Sequence, residues 1–171
     1  MYENRQYGSN ARWLLKALHE VAGEIEGLAV SLDDRALRWR PSPDEWSALE
    51  VVGYLRDSER EDVRAVRSML RRDHAPIAER RAHLSPGEQD FHAARVEDLI
   101  WDFLTVREEL VWLLYGAEGA WEHCGAHPHR GEVSLSTYVH EVNERDLEAM
   151  WMLRRRAEAF AAQAGTASRP T

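Results

Sequence analysis

EWSALEVVGYLRDSE, residues 45–59, decides how the rest of the chain is read. Ser47 followed by Glu50 forms a capping box: the serine side chain accepts a hydrogen bond from an orphan N–H of the first turn, and the glutamate reaches back. A long helix is therefore predicted to begin just after Ser47. Glu50, Tyr54 and Asp57 then follow at i, i+4 and i+7, so three polar groups share one side of that helix. Such a face is either a site or ordinary solvated surface.

Upstream, Pro41 and Pro43 in SLDDRALRWRPSPDEW forbid a helix through that linker. Before it, Leu14, Leu18, Val21, Ile25 and Leu28 recur at helical spacing, flanked by Trp13. They predict a helix over about residues 11–30 with Asn10 as its N-cap. The helix that starts after Ser47 reaches about Arg72, with Val51, Leu55, Ala65 and Met69 facing inward. DHAPIAERRAHLSPGEQDFH reads as a long polar connection punctuated by Pro76, Pro86 and Gly87. Its first part, with RRDHAPIAERR over 71–81, mixes arginines with Asp73 and Glu79 and is expected to be solvated. A further helix over about 93–115 carries Leu99, Phe103, Val106, Leu110 and Leu113, and Gly116 and Gly119 end it. Ser134 is placed to cap a last helix that runs to about Ala162, its inner face formed by Leu135, Val139, Val142, Ala149 and Leu153. No stretch alternates convincingly as a strand does. Trp46, Trp101 and Trp112 are expected to be packing anchors. Four long helices with one long crossover predict an all-α four-helix bundle. A single domain over 1–162 is expected, with a flexible C-terminal tail over 163–171.

The charge balance excludes some functions. Acidic residues outnumber basic ones 30 to 22, a net −8, and the arginines are scattered, so nonspecific nucleic-acid binding is not expected. No apolar run approaches the ~18 residues of a membrane span. Cys124 is the sole cysteine, which rules out an intrachain disulfide and fits a reducing compartment. MYENRQYGSN lacks the apolar core of a signal peptide, so a cytoplasmic location is expected.

RPSPDEWSALEVVGYLRDSE resembles the second-helix signature of the DinB/YfiT-like superfamily of bacterial four-helix bundles, in which a Pro-rich lead-in and Trp-Ser open a helix containing HLxDxE. HPHRGEVSLSTYVHEVNERDLEAMWML is similar to that family's later HPxxGxxTL…HDxxH pattern, and Arg107 in FLTVREELVWLL fits an arginine of its third helix. The resemblance spans about residues 11–160. It implies an up-down-down-up bundle, frequently a homodimer. It also implies one divalent metal such as Zn or Ni on three His, one from the second helix and an i, i+4 pair from the last. Those positions fall on Tyr54, Arg145 and Ala149, and none is a His. No other His lies between Pro41 and Asp73, and the last helix holds only His140, so no register restores the set. A guanidinium is a permanent cation and cannot coordinate.

The expectation is therefore a metal-free pocket formed by Glu50, Tyr54, Asp57, Glu141, Arg145 and Ala149. Buried Arg145 must find an anion, with Glu141, Asp57 and Glu50 as candidates and Tyr54 donating to a carboxylate of the same cluster. Such a network would either tie the helices together or bind a small anionic or thiol ligand. No catalytic residue is assigned. Some relatives resemble metal-dependent hydrolases or thiol transferases, and a substituted metal site would be the alternative. HCGAHPHR, 123–130, gathers His123, Cys124, His127 and His129. It lacks the split into two distant pairs of a structural zinc site, and its His-Pro belongs to the family's turn.

Overall fold

The computed structural model describes residues 3–80, 91 and 93–167. Four long helices dominate: α1 (Glu3–Val30), α3 (Ala48–Arg71), α4 (Val96–Tyr115) and α5 (Leu135–Ala167). The short α2 (Asp34–Arg38) lies in the linker, started by the Asp33 side chain, which accepts the Ala36 N–H at 2.8 Å. It ends before Pro41, as the prolines require. The capping box at Ser47 forms as its spacing predicts, with both reciprocal hydrogen bonds made. Ser134 likewise accepts the Thr137 N–H at 3.1 Å at the start of α5.

Helix directions follow from cross-helix ion pairs and hydrogen bonds. Arg60 pairs with Asp102, and Arg67 with Glu109, each across a separation of 42 residues, so α3 and α4 run parallel. Asn143 donates to the Leu14 carbonyl and Arg154 pairs with Glu24, so α5 runs parallel to α1. Trp46 meets Arg156 while Asp62 meets Tyr138, so α3 and α5 are antiparallel. The bundle is up-down-down-up, and the long connection from α3 to α4 is what a parallel neighbour demands. Phe91 of that connection is buried against Gly53, where any Cβ would collide with its ring.

Four expectations change. Asn10 lies inside α1, which extends back through Gly8 and Ser9 to Glu3 with no proline to stop it. Residues 163–167 of the expected tail are helical; 168–171, and Pro86 and Gly87 of the long connection, lie outside the described residues. A small sheet is present: β1 (Ala75–Pro76) pairs parallel with β2 (Cys124–His127), and β2 pairs antiparallel with β3 (Gly131–Ser134). Its strands are too short for an alternating pattern to register. The sheet carries the connection after α3 inward, burying Ile77 over Gly125 and bringing Arg80 against the bundle, so this stretch is only partly solvated. Finally, Trp101 and Trp112 are 73% and 69% exposed and anchor no core. Trp46 does pack, edge-on to Tyr54 at 5.0 Å.

The core falls into two apolar clusters along the bundle. One joins Leu18, Val66, Met69, Leu110, Leu114 and Val139, and the other joins Ile25, Val52, Leu55, Phe103, Met150 and Leu153. A layer of buried charge lies between them.

Candidate functional site

That layer is produced by charged residues that interrupt the apolar stripes. On α3 the inward stripe runs Leu55, Glu59, Asp62, Val66, Met69; on α4 it runs Phe103, Arg107, Leu110; on α5, Val142 is followed by Arg145 and Asp146 before Ala149. Glu59, Asp62 and Asp146 are fully buried, and Arg107 retains 3% exposure.

Arg107 forks onto Glu59, Nε to Oε1 at 2.5 Å and Nη2 to Oε2 at 2.8 Å, and its Nη1 donates to the Leu18 carbonyl of α1 at 2.8 Å. Its Nη2 also lies 2.7 Å from Asp146 Oδ2, a charge contact without hydrogen-bond alignment. Arg145 sits among three carboxylates. Nη2 donates to Glu59 Oε2 and to Asp146 Oδ1, both at 2.8 Å, and Nη1 donates to Asp62 Oδ2. Asp62 Oδ1 accepts from the Tyr138 hydroxyl and from Arg80 Nε, each at 2.8 Å, and the Arg80 guanidinium lies 4.0 Å over the Tyr138 ring. Arg80 extends to Glu141 at 3.4 Å, which Arg130 grips from outside at 2.5 and 3.0 Å. Arginines 80, 107 and 145 thus balance Glu59, Asp62 and Asp146, and Arg130 with Glu141 closes the rim.

The electrostatics fix the protonation of the donors. Burial alone would lower the pKa of Arg107 and Arg145, but the surrounding carboxylates outweigh it and push both up. Burial and then the Asp62 charge drive Tyr138 upward, so it remains a neutral donor. The Arg130 hydrogen bond holds Glu141 below the usual carboxylate range, against its partial burial. These cations and this phenol neither take up nor release protons near neutral pH. The arrangement holds fixed, paired charge.

Among the expected pocket residues, the structure brings Arg145 and Glu141 to this centre, with Arg80 bridging from Asp62 to Glu141. The others have different surroundings. Glu50 accepts from Arg40 at 2.9 Å and from the Ser47 N–H at 2.8 Å. Asp57 pairs with Arg56 at 2.8 Å. Ala149 belongs to the apolar cluster around Leu153. The reason is angular: at ~100° per residue, Tyr54 and Asp57 point well away from the Leu55 direction, whereas Glu59 and Asp62 fall back onto it. The arginine–carboxylate–tyrosine network therefore uses Glu59, Asp62, Asp146 and Tyr138 in place of Glu50, Asp57 and Tyr54. Charged residues repeating on an apolar stripe were the signal for them.

These residues do not fit a divalent ion. Among the described residues no three His, Cys, Asp or Glu side chains form a group that could hold one, and the Arg145 guanidinium fills the space between the three carboxylates. The histidines of the loop have separate partners, and His129 Nε2 lies 3.4 Å from Glu79. His123 Nδ1 bonds the Met69 carbonyl at 2.9 Å, and His127 Nδ1 accepts the N–H groups of His129 and Arg130 at 3.2 Å, holding the β2–β3 turn. Burial and then the Glu132, Asp73 and Glu122 charges push the Cys124 thiol up, which disfavours the thiolate.

No family model matches the chain, and no curated protein is significantly similar to it in sequence. A solved structure does match: YfiT from Bacillus subtilis, described as a probable metal-dependent hydrolase with an unusual four-helix bundle topology. The TM-score is 0.76 at 13% identity, over 88% of this chain and 87% of that one. The chain shares the four-helix bundle fold of that structure. No helix among the described residues is long and apolar enough to cross a membrane.

Proposed function

We propose that this chain is a diverged DinB/YfiT-type bundle in which a fixed guanidinium stands where relatives of that type hold a divalent ion. It acts as a homodimeric scaffold or small-ligand-binding protein and does not catalyse metal-dependent hydrolysis. The observation that carries this reading is the position of Arg145, bonded at once to Glu59, Asp62 and Asp146. A hydrolytic metal needs protein ligands plus an open position where bound water is activated. Here the carboxylates are committed to arginines, and removing one partner from such a buried set costs about 3–5 kcal/mol.

A cleft of about 400 Å³ outside Tyr138, lined in part by Arg64, Ser68 and Arg80, is where a small anion would meet the network. The competing reading, a hydrolase or thiol transferase with a carboxylate-held metal, draws on the same three acids. Elemental analysis of the purified full chain separates the two. Substoichiometric metal, with no rise in Tm on adding Zn²⁺ or Ni²⁺, is expected. One ion per chain, lost on Glu59→Gln, would overturn the proposal.

A further inference from the structure

Arg80 alone among the charges of the layer stands outside a helix, on the stretch that follows β1. Its side chain keeps 23% exposure, where those of Arg107 and Arg145 keep 3% and 8%. The surfaces around its guanidinium form a cage. Nε donates to Asp62 Oδ1 at 2.8 Å and to the Tyr138 hydroxyl at 3.3 Å. Nη2 donates to the Tyr138 carbonyl at 3.3 Å, Nη1 donates to Glu141 Oε2 at 3.4 Å, and the Tyr138 ring backs the group at 4.0 Å. Two carboxylates, a carbonyl and an aromatic face, placed to meet a fork of N–H donors, select a planar cation.

Every wall of the cage belongs to α3 or α5 and is held by groups other than Arg80. Asp62 is kept by Arg145 and by the Tyr138 hydroxyl, and Glu141 by Arg130. The charge, however, does not balance without Arg80: Arg107 and Arg145 alone would face the buried carboxylates of Glu59, Asp62 and Asp146. The cage is therefore a preorganised site that needs one more positive charge, and Arg80 serves as its tethered ligand. Arg80 and Tyr138 also line the cleft of about 400 Å³, so the site is reached from solvent. Farther out in that cleft, exposed Arg64 makes no ion pair among the described residues and is left for an anionic group.

We propose that Asp62, Tyr138 and Glu141 form a recognition site for an alkylguanidinium, which Arg80 fills from within the chain and an external ligand enters from the cleft by exchange. The inference rests on the small-ligand reading above and names the chemistry at the inner end of the cleft. Because Arg80 competes, the wild type binds such a ligand more weakly than a chain without that side chain. The probe is ethylguanidinium chloride, with sodium chloride as the ionic-strength control, added to the full chain carrying Arg80→Ala. The Tm of this variant is expected to rise by about 3–6 °C once the probe stands tenfold above its Kd. Titration calorimetry is expected to give a Kd at least about tenfold higher for the wild type and for Arg80→Ala/Asp62→Asn. Ethylammonium, a point charge without the planar fork, is expected to bind Arg80→Ala at least about fivefold more weakly. If Arg80→Ala does not fold, Arg80→Gln takes its place. No rise beyond the salt control would overturn the site, and so would a rise that survives Asp62→Asn. A Kd equal in the wild type would overturn its occupation by Arg80, and equal binding of ethylammonium would overturn the guanidinium class. None of these results bears on the metal content that tests the reading above, so the two can fail separately.

Discussion

The two apolar clusters and the charged layer between them are built from the same helices, yet each is held together in a different way. In the clusters a residue such as Leu55 is interchangeable with anything of similar size, since burial and close packing are what it contributes. In the layer, Arg145 is defined by its partners, because each carboxylate around it is desolvated and stable there only while paired. Position in the bundle is nearly the same; the rule for substitution is not.

The sharpest way to break that comparison is Arg145→Met. Leaving Glu59, Asp62 and Asp146 short of a cation is expected to cost about 3–5 kcal/mol in urea denaturation. Adding Asp62→Asn should recover more than about 1 kcal/mol through coupling within the network. Simple additivity of the two changes would show that the layer is not a unit. Leu55→Ala is expected to cost about 2–5 kcal/mol, with no recovery from any charge removal.

Ser47→Ala removes half of the capping box and should cost about 1 kcal/mol. At the same place, burial would raise the Glu50 pKa, but Arg40 and Ser47 bring it below its ordinary 4.5. Its stabilising contribution is therefore complete above about pH 4.5 and is lost as the pH falls through the lower folded value. Glu50→Gln should flatten that part of an acid titration of Tm, and an unchanged slope would exclude the assignment. The smallest effect is expected from Arg67→Ala, at the exposed α3–α4 pair with Glu109. About 0–1 kcal/mol is typical of solvated pairs, and a larger loss would erase the contrast between surface and interior.

The fold was legible because its signals are local. Heptad-like stripes, the Ser47–Glu50 box and the prolines at 41 and 43 set element type and order before any packing is known. The parallel neighbours could be anticipated only through the family resemblance, since nothing in α3 or α4 alone states which way its partner runs. For the site, the sequence argument placed Arg145 inside and in need of acids, and there the observed contacts agree. It then chose Glu141, one turn earlier on the same helix, and Glu50 and Asp57 of α3, where a motif drew attention, although Glu59 and Asp62 lie on the inward stripe itself. Arg80 could not have been found this way. Its place depends on a two-residue strand and on Ile77 seated over Gly125, contacts between segments distant in sequence. The exposure of Trp101 and Trp112 was equally hidden, because composition alone assigns tryptophan to interiors.

The charged layer has a further consequence for how the helices find their alignment. A bundle with uninterrupted leucine-like stripes can slide one helix past another by a turn, about 5.4 Å, and repack at little cost. Here such a slip would carry Arg107 to the level of Phe103, or Arg145 to that of Ala149, stranding a guanidinium in hydrocarbon with its carboxylates left behind. The layer works as an index mark across three helices, much as a lone polar residue sets the pairing of a coiled coil. Slipped collapsed states are thereby penalised, and the aligned bundle is the arrangement in which every charge of the layer meets its opposite.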